Sequence, residues 1–354
     1  MIYFDVTKTG AAGHRSGLTR VSARLQDELG FAAQGVAWRA RSRRFHPPLP
    51  DPLPATDWFL TAELFAEEER PGFTAWLEAT PVGRAAIFHD AIPLKHPHIT
   101  WPQSVARHPA YLKLLARFDR VWAVSEASRA ELLGIWRWQG VTRPPPVEVL
   151  TLGADFSHVP RRAATPAAGP PRLLCLGILE PRKNQRFLLE VCADLWAGGL
   201  SFELHVVGRV NPHFGRPILT RLAELRRRYP AALHFHEAMG DTQLARLLAS
   251  AHATLFPTIA EGCGLPLLES LWLGVPCLCS DLAVLRENAA GGGCLPIAPN
   301  DHAAWGEAIR RIVSDLPFHR QLCHQAATRP LPTWADAARS LSSAFARPRD
   351  ALSP

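Results

Sequence analysis

The chain has 354 residues, 47% of them hydrophobic, which is enough for sizeable buried cores and suits two domains of ordinary size better than one. Its 39 Lys and Arg against 32 Asp and Glu give a net charge of +7, spread over both halves; this suits anionic small partners or an anionic leaflet, and no basic helix interleaved with base-stacking aromatics invites nucleic acid. No apolar run approaches the roughly 20 residues of a membrane span and residues 1–10 lack signal-peptide architecture, so a cytoplasmic protein is expected; the seven cysteines, an odd number set mostly in apolar runs, suggest no disulfide framework.

Short apolar runs at residues 1–6, 36–38, 58–61, 85–89, 121–125 and 147–152 alternate with helical patterns and predict a mostly parallel sheet covered by helices. Residues 172–179, 202–207, 232–236, 253–257, 275–280 and 294–297 repeat the rhythm. The expected fold is therefore α/β with two Rossmann-like, doubly wound domains facing across a cleft: residues 1–160, a proline-rich linker 161–171, residues 172–332, and a terminal helical segment 333–354 packing back across the domains. Open α/β sheets bind ligands at the carboxyl ends of their strands, so function is sought in the loops that follow them.

In chain order, the first such loop is Gly-His-Arg-Ser-Gly-Leu-Thr-Arg at residues 13–20. Gly13 and Gly17 permit close backbone approach, while Arg15 and Arg20 can reach an anionic group or serve as ordinary surface arginines. Residues 87–93, Ile-Phe-His-Asp-Ala-Ile-Pro, put His89 and Asp90 at a strand end, where the imidazole can donate to a sugar hydroxyl or phosphate and Asp90 can orient its neighbour. The apolar and aromatic residues of 101–118 fit either a packed helix or contact with a lipid-linked acceptor at a membrane surface. Ser125 is an N-cap candidate or a cleft residue.

In the second half, Leu-Gly-Ile-Leu-Glu-Pro-Arg-Lys-Asn-Gln at 176–185 follows the first strand. A fixed cation at Lys183 would face a diphosphate and offset the charge developing on a departing phosphate, with Arg182 assisting or turned outward. Gly208 and Arg209, after the next strand, can approach the same phosphates. His234 and His236 alternate on one predicted strand, with Glu237 next; no further ligand stands at useful spacing, so no metal is expected there. Cys277 and Cys279 fall on one face of a buried strand, again without metal or redox duty.

The strongest signal is Ile-Ala-Glu-Gly-Cys-Gly-Leu-Pro-Leu-Leu-Glu-Ser-Leu at 259–271. Glu261 lies in a strand-end loop, Gly262, Cys263 and Gly264 bring backbone N–H groups to the start of a helix opening at Leu265, and Glu269 sits on its first turns. Each carboxylate accepts two hydroxyl hydrogen bonds, so one can address a sugar and the other a ribose, while the helix N-terminus favours a diphosphate. The plainer reading is a helix-capping Glu261 and a solvated Glu269.

This string resembles the E-G-F-G-L-P-x-x-E hallmark of the retaining glycosyltransferases of family 4, with Cys263 in place of Phe. Residues 176–185 are similar to that family's G-R-L-x-x-x-K-G/N signature, with Ile178 where Arg is usual, and closer to a branch with G-T-L-E-P-R-K-N; residues 89–93 resemble the branch's H-D-x-x-P. The resemblance implies a GT-B fold and a retaining, metal-independent hexosyl transfer. It makes His89, Lys183 and Glu261 the catalytic groups, with Glu261 on the donor sugar, Lys183 on the phosphates and His89 near the reaction centre, and makes Glu269 the ribose contact. Gly17, Asp90, Arg182, Arg209, Gly262, Cys263, Gly264 and Leu265 complete the expected nucleotide-sugar site. The implied donor is a nucleotide-diphosphate sugar, GDP-mannose favoured, with no further cofactor; the acceptor is a glycan or lipid-linked glycan, met at the inner face of the plasma membrane. A nicotinamide oxidoreductase would need a G-x-G-x-x-G that the first turn lacks, while a sugar-nucleotide epimerase, a hydrolase or a non-catalytic subunit would share this fold.

Overall fold

The computed structural model describes residues 1–11, 17–156, 159–161 and 169–347. They form two compact units: Met1–Gly153 together with the chain from Pro332 onward, and Ala154–Leu331. No helix of the described residues is long and apolar enough to cross a membrane.

In the first unit, strands β1 (Ile2–Asp5), β2 (Ala33–Arg39), β3 (Arg44–His46), β4 (Trp58–Thr61), β5 (Gly83–Phe88), β6 (Arg120–Ala123) and β7 (Val147–Val149) form one sheet in the order β3-β2-β1-β4-β5-β6-β7. All pairings are parallel except β2 with β3. Runs such as Trp58-Phe59-Leu60 are buried throughout, as strands covered by helices on both faces must be. The antiparallel β3 is missing from the expected strands because three residues are too few to show an alternation; Phe45 secures it edge-on to Trp38, ring centroids 5.0 Å apart.

The terminal helix Trp334–Phe345 belongs to this unit and packs on helix Gly17–Leu29. Thr333 caps it, its hydroxyl accepting from Asp336 N at 3.2 Å while the Asp336 carboxylate accepts from Thr333 N at 2.9 Å. Trp334 is buried against Gly153, where a Cβ would stand 2.2 Å from the Trp334 backbone nitrogen. At the other end, Trp58 Nε1 donates to Phe345 O at 3.2 Å and Arg120 Nη1 to Ala344 O at 3.2 Å.

The second unit holds β8 (Arg172–Leu176), β9 (Glu203–Val207), β10 (Leu233–His236), β11 (Ala253–Phe256), β12 (Cys277–Ser280) and β13 (Cys294–Ile297), all parallel, in the order β10-β9-β8-β11-β12-β13. Leu173, Leu204 and Leu233 face a core shared with helices Gln185–Ala197 and Arg216–Arg228; Leu174 faces a second cluster with Leu248 and Leu273. Phe156 is buried in that second cluster, so the chain enters this unit ahead of the proline-rich segment, of which residues 162–168 lie outside the described residues. Cys277 and Cys279 are buried on β12 as unpaired thiols.

Candidate functional site

The strand order of the second unit reverses between β8 and β11, and the crevice beyond the carboxyl ends of two such strands is where open α/β sheets hold ligands. The loop after β8 carries Glu180, Arg182 and Lys183; the loop after β11 carries Thr258 and Glu261. A backbone bond stitches the two together, Ile259 N donating to Arg182 O at 2.9 Å, and the Thr258 hydroxyl oxygen lies 3.1 Å from the same carbonyl.

Glu261 is the hub. Its Oε1 accepts from the Lys183 ammonium, from Arg182 Nη1 at 3.0 Å and from the Thr258 hydroxyl at 3.0 Å. Burial alone would push this carboxyl up, but the Lys183 and Arg182 cations outweigh it and hold it below the usual carboxylate range. Burial, and then the Arg182 charge, pull the Lys183 ammonium below its ordinary value, against the opposing pull of Glu261. Its nitrogen lies 5.0 Å from the Phe256 ring centre and its stem lies along Gly177. Arg182 thus turns inward: it also bonds Ala260 O at 3.1 Å and Glu180 Oε1 at 2.8 Å, and Glu180 accepts from Asn211 at 3.2 Å. Thr258, Asn211 and Phe256 are not among the expected site residues, since each supports the site from a position that carries no pattern of its own; Glu180 lies within the motif at 176–185, which gives it no role by itself.

Gly264 begins helix Leu265–Trp272 at φ 82°, a left-handed conformation open to glycine, and a Cβ there would come 2.6 Å from Leu285 Cδ2. Leu265 and Glu269 are buried on that helix. The Cys263 carbonyl accepts from Asn288 Nδ2, and burial, with the Glu261, Glu287 and Glu269 carboxylates adding to it, pushes the Cys263 thiol up to about 12, so it stays protonated and inert as a nucleophile. Gly262 lies in the turn ahead of that helix. Arg209 is exposed past the end of β9, its carbonyl accepting from Leu179 N at 2.9 Å. There Gly208, at φ 153°, passes so close to the β8 loop that a Cβ would fall 2.0 Å from Gly177 O.

In the first unit, His89 follows β5, and its Nε2 lies 2.9 Å from Ala62 O. A carbonyl only accepts, so Nε2 carries the hydrogen, and burial keeps the ring neutral by lowering its pKa. The other nitrogen, Nδ1, is then an acceptor, which corrects the expectation that this ring donates to hydroxyl or phosphate: it can accept from a hydroxyl. Asp90 caps the next turn, Oδ1 accepting from Ile92 N at 3.0 Å. Ser125 caps helix Glu126–Trp138, accepting from Ser128 N at 3.0 Å, and the Ser128 hydroxyl donates to His89 O at 2.9 Å. Gly17 opens helix Gly17–Leu29, with nothing within 4 Å of an added Cβ; Gly13 and Arg15 lie outside the described residues. A further cluster, with no sign of it along the sequence, lies here: Arg70, fully buried, pairs with Asp5 at 2.5 Å and with Glu63, whose carboxylate accepts from the backbone of Lys8 and Thr9 at 2.8 Å each and so fixes the chain leaving β1. In helix Pro102–Leu115, Tyr111, Leu112, Leu114 and Leu115 are buried, while Trp101 just ahead of it is 40% exposed.

Two doubly wound parallel units, with an acid–base cluster at the reversal of strand order in the second, define an α/β protein of the GT-B fold. Residues 170–315 match the family of glycosyl transferases group 1, and the second unit belongs to it. The chain is 31% identical over 299 residues to the serotype-specific mannosyltransferase WbdA of Escherichia coli, covering 77% of this chain and 34% of that protein. It is 30% identical over 240 residues to the GDP-mannose-dependent alpha-(1-6)-phosphatidylinositol dimannoside mannosyltransferase of Mycobacterium tuberculosis, covering 66% and 58%. The chain therefore spans about a third of the length of the first relative and somewhat over half of the second. Among solved structures, Anabaena Alr3699/HepE in complex with UDP and glucose superposes with a TM-score of 0.71 at 14% identity, covering 97% of this chain and 98% of that one.

Proposed function

We propose that the chain is a retaining, metal-independent glycosyltransferase that moves a hexose from a nucleotide-diphosphate sugar, GDP-mannose first among candidates, onto a glycan or lipid-linked acceptor of a cell-surface polysaccharide. We place this reaction in the cytoplasm, at the inner face of the membrane. The observation that carries the reading is the meeting of Lys183, Arg182 and Glu261 at the reversal of strand order. The mannosyltransferases among its relatives support the choice of sugar.

The bond from the anomeric carbon to the phosphate oxygen breaks, and negative charge gathers on the departing nucleoside diphosphate. The Lys183 ammonium, fixed in place by Glu261, offsets that charge without having to reorganise, helped by the N-terminus of helix Leu265–Trp272. The acceptor oxygen bonds to the face that the phosphate leaves, and the leaving oxygen takes its proton. Because the three donors converge on Oε1 of Glu261, its Oε2 is the atom for a sugar hydroxyl, and Glu269 takes the ribose diol; in the first unit, His89 Nδ1 is an acceptor for a hydroxyl.

The test is incubation of the purified chain with GDP-mannose, UDP-glucose and a dTDP-sugar, with and without a glycan acceptor, in the presence of a chelator. Acceptor-dependent release of GDP and a product with the donor's anomeric configuration are expected. Release that ignores the acceptor would make the protein a hydrolase, and no turnover with donor bound would make it a binding subunit.

A further inference from the structure

β9 and β10 are the parallel pair at one edge of the second sheet, in a register that sets His234 beside His205 and His236 beside Val207. Strand alternation then puts Glu203, His205, His234 and His236 on one face, while Leu204, Val206 and Leu233 enter the core on the other. One donor atom from each of Glu203, His205 and His234 lies within 4.8 Å of the other two. Glu203 Oε2 and His205 Nε2 are 3.1 Å apart, near the edge of about 3.3 Å that metal–ligand bonds of about 2.0–2.1 Å give a tetrahedron. The His205 and His234 ring centres are 4.5 Å apart.

We propose that Glu203, His205 and His234 bind a divalent transition-metal ion of the zinc class at the edge of the second sheet. Two imidazoles and one carboxylate are a borderline-soft set that suits zinc better than magnesium or calcium, and a water completes the tetrahedron. His205 Nε2 faces a carboxylate, so it carries the hydrogen in the metal-free pair. The ion takes the place of that hydrogen. The ring shifts to its Nδ1–H form and donates to His236 Nε2, 3.1 Å away, whose own hydrogen moves to its Nδ1; every ring stays neutral and no net proton is released. Arg172 Nε, 3.3 Å from the same Glu203 oxygen, orients the carboxylate. Glu203 opens β9, so this site lies toward the amino ends of the strands, whereas Lys183 and Glu261 follow their carboxyl ends; the ion would tie an edge strand down and take no part in transfer.

Full-length protein stripped with chelator and titrated with Zn²⁺ by calorimetry is expected to bind one ion per chain and to melt at a higher temperature with it. Co²⁺ is expected to give the intense visible absorption of a tetrahedral site. His234→Ala and His205→Gln should each weaken Zn²⁺ binding about tenfold or more and remove the thermal shift. His302→Ala, at an exposed histidine paired with Asp194 elsewhere, should behave as wild type. If His234→Ala does not fold, His234→Gln replaces it. Absence of saturable binding to the wild-type chain, or binding within twofold of wild type in a folded His205→Gln/His234→Gln double variant, overturns the proposal.

Discussion

One carboxylate oxygen, Oε1 of Glu261, draws Lys183, Arg182 and Thr258 together. Removing one of the three leaves the other two, so the buried charge stays compensated. Lys183→Ala should therefore keep a cooperative melt near that of the wild type while the rate of transfer falls by at least about 10²-fold, the usual cost of deleting one preorganised charge partner. Transfer at near wild-type rate would remove Lys183 from the phosphate. The presence of Lys183 and Glu261 was legible in the sequence because each lies in a short local pattern at a strand end. What the patterns leave open is direction. Whether Arg182 turns inward depends on Ala260 and Glu261, nearly 80 positions further along the chain, and the hydrogen on His89 is set by the carbonyl of Ala62, just past the end of β4.

Among the elements, the loops after β8 and β9 approach so closely that only a hydrogen fits at Gly208. Gly208→Ala would force a backbone carbonyl aside and strain a φ of 153°, so a loss of about 3 kcal/mol or more in chemical denaturation is expected. A loss below about 1 kcal/mol would mean that the β8 loop is free to shift. All twelve expected strands are found, their ends differing by a few residues, because short apolar runs recurring between helical patterns announce buried parallel strands without help from context. The short antiparallel β3 announces nothing, and the pairing of His205 with His234 depends on the β9–β10 register, which spacing along one strand cannot reveal.

At the scale of the whole molecule, the first unit is assembled from two distant stretches of chain, and Trp334 is the keystone of the returning one, buried beside Gly153 with the Arg24 guanidinium 5.7 Å from its ring. Trp334→Ala should lower the stability of this unit by about 3–5 kcal/mol. Donor binding by the second unit, measured by calorimetry, should survive; if both were lost together, the two units would not unfold independently. The sequence marked the terminal helix by its spacing after Pro332, but not its partner, because apolar positions name a face and not what covers it.

The returning helix also sets an order of events at the ribosome. The sheet of the first unit is translated first, but Trp58 and Gly153 must await Phe345 and Trp334 until the whole intervening unit has been made, a delay on the order of 10–60 s at roughly 5–20 residues per second. The later-made unit is contiguous and can close as it emerges. Until then the positions that Phe345 and Trp334 come to cover, at Trp58 and Gly153, stay open on the nascent amino-terminal stretch.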